Sequence, residues 1–143
     1  MIRIFVIFKS RIFIEAITPF LKECNIEIAG LCLDSFRAVS QYKEINADLV
    51  IMDLNWTHQS YTVTGPELIR NLRQYNPDVK IIGVTNFHES RVLDKLSQLC
   101  VQAHFSRDMP LAGIIQCIRE VCQPGRIIPD LQNNRLDRNL INA

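Results

Sequence analysis

Residues 47–57 read ADLVIMDLNWT. Within them Leu49–Met52 is an unbroken apolar run that stops at a carboxylate, Asp53, and passes into polar residues and Trp56. Four to eight apolar residues bounded by polar ones suit a strand buried on both faces of a parallel sheet. Open parallel sheets bind ligands just beyond the carboxyl ends of their strands. Asp53 is therefore the first candidate for chemistry, against the plain alternative of an acid that ends a strand in solvent.

Working outward toward the N-terminus, IRIFVI (2–7) reads as a first buried strand. Residues 10–24 place Ile12, Phe13, Ala16, Ile17, Phe20, Leu21 and Cys24 on one helix face. Pro19 lies inside that helix and removes a backbone donor, which predicts a kink or a late start. IEIAGLC (26–32) is a second strand, followed by a helix over Ser35–Lys43 with Asp34 or Ser35 as its cap. Toward the C-terminus comes a polar loop over 55–64, where Trp56 and Tyr61 either line a partner surface or fold back as a lid. Thr64 and Glu67 have capping-box spacing with Pro66 in the first turn, and Leu68, Ile69 and Leu72 form the inner face of that helix. After a turn at 76–78, Val79–Val84 is a strand closed by Thr85. Asn86 to Glu89 repeats the cap spacing before a helix with Val92, Leu93, Leu96 and Leu99 inside. Val101–Ser106 is a short fifth strand. Asp108 is expected to cap a last helix whose inner face is Leu111, Ile114, Ile115, Ile118 and Val121, ending before Pro124-Gly125. This alternation predicts an α/β domain with a five-stranded parallel sheet and helices on both faces. Residues 1–124 form the domain, and 125–143 a linker or C-terminal tail with a short helix around Leu136–Ile141.

The 143 residues suffice for one self-supporting core, and 48% of them are apolar. A formal charge of +1 gives no electrostatic case for nucleic acid. No apolar segment reaches the roughly 18 residues needed to span a bilayer, and the N-terminus lacks a small-residue cleavage site. Five cysteines, an odd number without CxxC spacing, read as reduced thiols in a cytoplasmic protein. His58 and His88 lack partners at ligand spacing, so no metal site is expected from them. KSR replaces a glycine-rich phosphate loop after the first strand, and no Cys–His pair shares a motif. Both facts weigh against a small enzyme on this sheet.

The pieces IRIFVI, LVIMDLN, NPDVKIIGVT, FSRD and IREVCQPGRIIP together resemble the receiver domain of two-component response regulators, most closely the NarL/LuxR-type receivers, from residue 2 to about residue 128. The resemblance implies a flavodoxin-like (βα)5 three-layer sandwich. It implies that Asp53 is the phospho-acceptor for a histidine kinase, Thr85 the hydroxyl that contacts the phosphoryl group, and His104 the position of the switch aromatic. It also exposes departures. Arg107 stands where the family has lysine, and Phe8 and Lys9 stand where it has the acidic pair that holds Mg²⁺. Only Asp53 and the Asn55 backbone carbonyl remain as protein ligands, so no cofactor is expected and Mg²⁺ binding is weakened. The loop after Asp53 is about four residues longer than usual and lacks the family's proline.

The expectation is a signalling receiver, not an enzyme, with impaired Mg²⁺-dependent phosphorylation at Asp53. Asp53 is then either a phospho-acceptor or a retained carboxylate paired with Lys9 or Arg107. The expected partners are a histidine kinase or other signalling protein and a second copy, with no membrane and no nucleic acid bound by this chain itself. The alternative is the N-terminal half of a DNA-binding regulator. GRIIPD resembles the start of such a protein's linker, yet no helix-turn-helix follows in the sequence.

Overall fold

The computed structural model describes residues 1–54, 65–85, 101–106 and 108–123, Thr85 in its backbone only. The loop 55–64 with Asn55, Trp56, His58, Tyr61 and Thr64, the segment 86–100 with its predicted cap and helix and with His88 and Cys100, Arg107, and the tail beyond 123 lie outside the described residues. Five strands are present: β1 (Ile2–Ile7), β2 (Ile26–Cys32), β3 (Leu49–Asp53), β4 (Ile81–Thr85) and β5 (Ala103–Ser106). The described helices are α1 (Arg11–Glu23), α2 (Ala38–Glu44), α3 (Gly65–Tyr75) and α4 (Leu111–Cys122). All strand pairs are parallel, in the order β2-β1-β3-β4-β5. This is the flavodoxin-like order, with its reversal between β1 and β3.

Strand alternation sorts the core into two layers. Ile4, Val6, Phe8, Leu49, Ile51, Ile82, Val84, Ala103 and Phe105 face α1 and α4, meeting Ile14, Leu21, Ile114, Cys117, Ile118 and Val121. Phe5, Ile7, Val50, Met52 and Ile81 face the other way and meet Ala38 and Tyr42 of α2 and Leu68, Ile69 and Leu72 of α3. The parallel β1–β2 ladder carries a bulge, because Ile4 pairs with Ile28 but Phe5 with Gly30, which leaves Ala29 unmatched. At the amino edge Arg3 ties strands together: its N–H donates to Asp48 Oδ2 (2.8 Å), its Nε to the Asn46 carbonyl (2.8 Å), and its guanidinium pairs with Glu27.

The helices depart from the sequence pattern in several places. Asp34 does cap, but it accepts from Phe36 N (3.0 Å) at the head of a 3-10 turn, Ser35–Arg37, and α2 starts only at Ala38. α1 begins at Arg11 and runs through Pro19 rather than starting late. The Ser10 hydroxyl accepts from Ile12 N (3.3 Å) at its N-terminus, and Asn25, at φ 63°, turns the chain out of it into β2. Its buried residues are Ile14 and Leu21, with Phe13, Ile17 and Cys24 half-buried beside them. Ile12, assigned inward by spacing, is 78% exposed, and Phe20 is half exposed. The apolar residues of α1 outnumber one face, and the side with Ile14 won. Asp108 is not the cap of α4. Pro110 holds the N-cap position, and Asp108 accepts from the Ser106 hydroxyl instead (2.5 Å). β4 and β5 begin two residues later than predicted, because the Gln102 side-chain amide accepts from Ile81 N (2.7 Å) where the ladder begins.

The two isoleucines of the first helix turn separate these faces. Ile14→Ala should cost about 2–5 kcal/mol of unfolding free energy. Ile12→Ala should stay within about 0.5 kcal/mol. Urea midpoints of the two variants, measured at equal slope, give the comparison.

Candidate functional site

The strand registers bring the ends of β1, β3, β4 and β5 to a common carboxyl edge. Ile7 pairs with Met52, Asp53 with Val84, and Thr85 with Ser106. Two further backbone bonds close the edge, Phe8 N to Cys32 O (3.0 Å) and Leu54 N to Val84 O (2.9 Å). Asp53 thus stands at the centre of the row, between the ends of β1 and β4, and is 0% exposed.

Alternation along β3 turns Asp53 toward the face that Leu49 and Ile51 share with α1 and α4. Continuing the β1–β3 register beyond Ile7 and Met52 sets Phe8 level with Asp53 on that face. Phe8 is fully buried, and its ring stacks on Phe13 of α1, with centroids 5.6 Å apart and planes 3° from parallel. Lys9, one residue on, is exposed. On the β1 side, then, the residue level with the carboxylate is an aromatic ring.

The residue after Asp53 is held from two sides. A Cβ placed on Gly83 would collide with the Leu54 side chain, and one on Gly65 would lie 3.1 Å from the Leu54 carbonyl. Glycine at both positions lets Leu54 seat between β4 and the start of α3. His104 pairs in register with Gly83 and is buried inside the sheet. At the end of β5, the Ser106 hydroxyl donates to Asp108 Oδ1, while Asp108 N donates back to Ser106 Oγ (3.4 Å) and Met109 N to Ser106 O (3.0 Å). These bonds fix the chain on either side of position 107. Burial pushes the Cys32 thiol, at the tip of β2, above the ordinary thiol range, and does the same to Cys122 at the end of α4.

Of the residues singled out from the sequence, Asp53, Thr85 and Phe8 converge on this edge, His104 lies one step inside it, and Lys9 follows Phe8 as an exposed residue. Arg107 and Asn55 are outside the described residues. Phe13, Leu54, Gly83 and Ser106 went unnoticed as site residues. The Ser-x-Asp spacing at 106–108 was the one local signal available, since the others become neighbours only through tertiary packing.

Mg²⁺ requires a near-octahedral shell of hard oxygens, with one or two carboxylates among them. Among the described residues no three of His, Cys, Asp and Glu stand together as a metal cluster. With a buried phenyl ring level with Asp53 and a lysine after it, the described residues do not fit such a site. Among the described residues, too, no helix is long and apolar enough to cross a membrane.

A family model described as the response regulator receiver domain matches residues 4–119. Protein CcdB of Bacillus subtilis is 23% identical over 121 residues, covering 85% of this chain and 98% of that protein. The transcriptional regulatory protein DegU of Brevibacillus brevis is 26% identical over 145 residues, 99% of this chain but 60% of DegU. The chain thus spans well under two thirds of DegU and almost all of CcdB. Among solved structures, the isolated REC domain of RcsB from Salmonella enterica serovar Typhimurium, in the presence of phosphomimetic BeF3-, superposes with a TM-score of 0.78. It shares 17% identity, over 95% of this chain and 98% of that one.

The stacked pair beside Asp53 is open to a double-mutant cycle. Phe8→Ala should cost about 3–5 kcal/mol, and Phe13→Ala less, since it is half-buried. Their coupling in chemical denaturation should be roughly 0.5–1.5 kcal/mol. Additive losses would mean that the rings do not support one another.

Proposed function

The chain belongs to the response regulator receiver domain family, the receiving module of two-component signal transduction, and from that premise we propose that it is an atypical receiver in which Mg²⁺-dependent phosphorylation of Asp53 is impaired. The observation that carries this reading is the buried Phe8 ring, level with Asp53 at the position where the family places a metal-holding acid. Phosphoryl transfer to a carboxylate brings two anions together, and catalysis depends on compensating charge placed before they meet. A phenyl ring supplies none. Lys9 brings one positive charge where the metal brings two, and Arg107 in place of lysine reaches and pairs with different geometry.

In this reading Asp53 keeps the acceptor position and Thr85 the position of the phosphoryl-contacting hydroxyl. His104, at the switch position, is buried. A receiver shifts between two states when phosphorylated. One that is not phosphorylated rests in a single state and signals by presenting a fixed surface to a histidine kinase or other signalling protein. We place it in the cytoplasm as a homodimer, with residues 125–143 as linker or tail. The dimer surface we expect is the last βαβα portion or the first and last helices, and in α4 the residues Ile114, Cys117, Ile118 and Val121 are buried in the core. On α1, Ile12 and Phe20 are exposed, which favours the first helix as part of that surface. A second reading, the receiver half of a DNA-binding regulator, is favoured by the 60% share of DegU that the chain spans.

Intact mass after incubation with acetyl phosphate and Mg²⁺ tests the proposal. The natural chain should show no stoichiometric phosphoryl adduct, and its melting temperature should not rise with millimolar Mg²⁺. Phe8→Asp/Lys9→Asp should be destabilised by like charge beside Asp53 and regain both stability and phosphorylation when Mg²⁺ is added. A full adduct on the natural chain that vanishes in Asp53→Asn would return it to the ordinary receivers. Light scattering at high concentration checks the dimer, which Phe20→Ser should weaken.

A further inference from the structure

Two half-buried thiols stand at the C-terminal ends of the two helices that cover one face of the sheet. Cys24 is the C-cap of α1 and Cys122 the last residue of α4. Both pack against the same buried cluster. The two helix ends are tied there, because Arg119, one turn before Cys122, donates from Nη2 to the Cys24 carbonyl (3.3 Å). That bond identifies the flank of α4 nearer to α1. Ile115 and Cys122, four residues before Arg119 and three after it, share that flank by helical spacing and are half-buried against the cluster. On α1, Phe13, Ile17 and Cys24 form a stripe at the same kind of spacing, half-buried against the same cluster. Packed helices lie about 8–10 Å apart between axes, and residues on facing flanks come nearer than the axes do. A disulfide needs its two Cα atoms within about 7 Å. Cys32 lies in the other core layer, and Cys117 is fully buried beneath α4.

We propose that Cys24 and Cys122 form a reversible disulfide that clasps the end of α1 to the end of α4 and gives the chain an oxidative input. The clasp lies at the amino edge of the sheet, where Ile2 N donates to the Asn25 carbonyl at the start of β1, the opposite edge from Asp53. It goes beyond the receiver reading and does not depend on whether Asp53 is phosphorylated. Thiols that are free at rest suit a transient, signalling disulfide better than a structural one. The oxidant is a low-molecular-weight disulfide. The Cys24 thiolate attacks one of its sulfurs, forming a mixed disulfide and releasing one thiolate, which takes up the proton that Cys24 gave up. Cys122 then loses its proton, attacks the Cys24 sulfur and expels the second thiol. Two protein thiols are oxidised to one disulfide, and the small disulfide is reduced to two thiols. Cys122 is the second to react because burial holds its thiol above the ordinary range.

The probe is glutathione disulfide, added to the full chain after reduction and removal of the reductant. The chain should lose two titratable thiols, lose two hydrogens by intact mass without keeping glutathione, and yield a Cys24–Cys122 linked peptide in a non-reducing digest. Its melting temperature should rise by about 5 °C or more, since the crosslink closes a long loop, and fall back with dithiothreitol. Cys24→Ser and Cys122→Ser should each abolish the link and the rise, every variant being compared with its own reduced form. Cys32→Ser should behave as the natural chain does. The proposal is overturned if both thiols stay free, if a mixed disulfide with glutathione is the end product, or if the link maps to another pair. It is overturned as well if the link joins two copies on a non-reducing gel, or if it forms without raising the melting temperature.

Discussion

Parallel pairing on both sides of β3 leaves none of its five residues in contact with water. The rest of the molecule follows from that constraint. A strand paired on both edges and covered on both faces must be apolar along its length, and only its last position can depart from hydrocarbon without stranding a polar group in the core. That position is Asp53. The layers above and below are set by which way Leu49, Val50, Ile51 and Met52 point, and the helices settle on whichever layer their own apolar side matches.

Much of this was legible in the sequence because strand periodicity and helix periodicity are local. β1, β2 and β3 fall where their apolar runs fall, and the strict alternation of elements implied the parallel sheet. The register was legible only in its consequence, that strand ends align. What the chain does at the edge of that sheet was not legible. Nothing local distinguishes Ile12 from Ile14 as the inward residue of α1, since both sit within an apolar-rich turn and the choice depends on how the helix lies over β1. Asp108 has the residue type and the place of a helix cap, but Ser106, two residues before it, offers a bond made within the turn, and Pro110 takes the N-cap position without a side-chain bond. Lys9 drew attention as the charged residue after β1, and the register sets Phe8, its neighbour, level with Asp53.

Filling the space beside Asp53 with a ring changes the energetics of the edge. In the family arrangement implied by resemblance, several carboxylates crowd together and are tolerable only with a cation among them. Such clusters lower stability for the sake of chemistry. Here Phe8 removes the repulsion and adds buried apolar area, continuous with Phe13 and the layer beneath. Leu54, seated against Gly83 and Gly65, extends the same packing to the other side of the strand end. On the β1 side of the strand end, the position level with Asp53 thus belongs to the packed layer beneath it.

The bulge between Ile4 and Phe5 bears on a different hazard. Among the described strands β2 is the outermost on its side, and an open backbone edge is a template onto which another chain can add a strand and begin an aggregate. An inserted residue at Ala29 breaks the even spacing of that edge midway along seven residues. An incoming strand therefore finds two short, out-of-step stretches in place of one continuous ladder, neither long enough to hold it. A bulge of this kind is one of the ways in which edge strands discourage pairing with another chain.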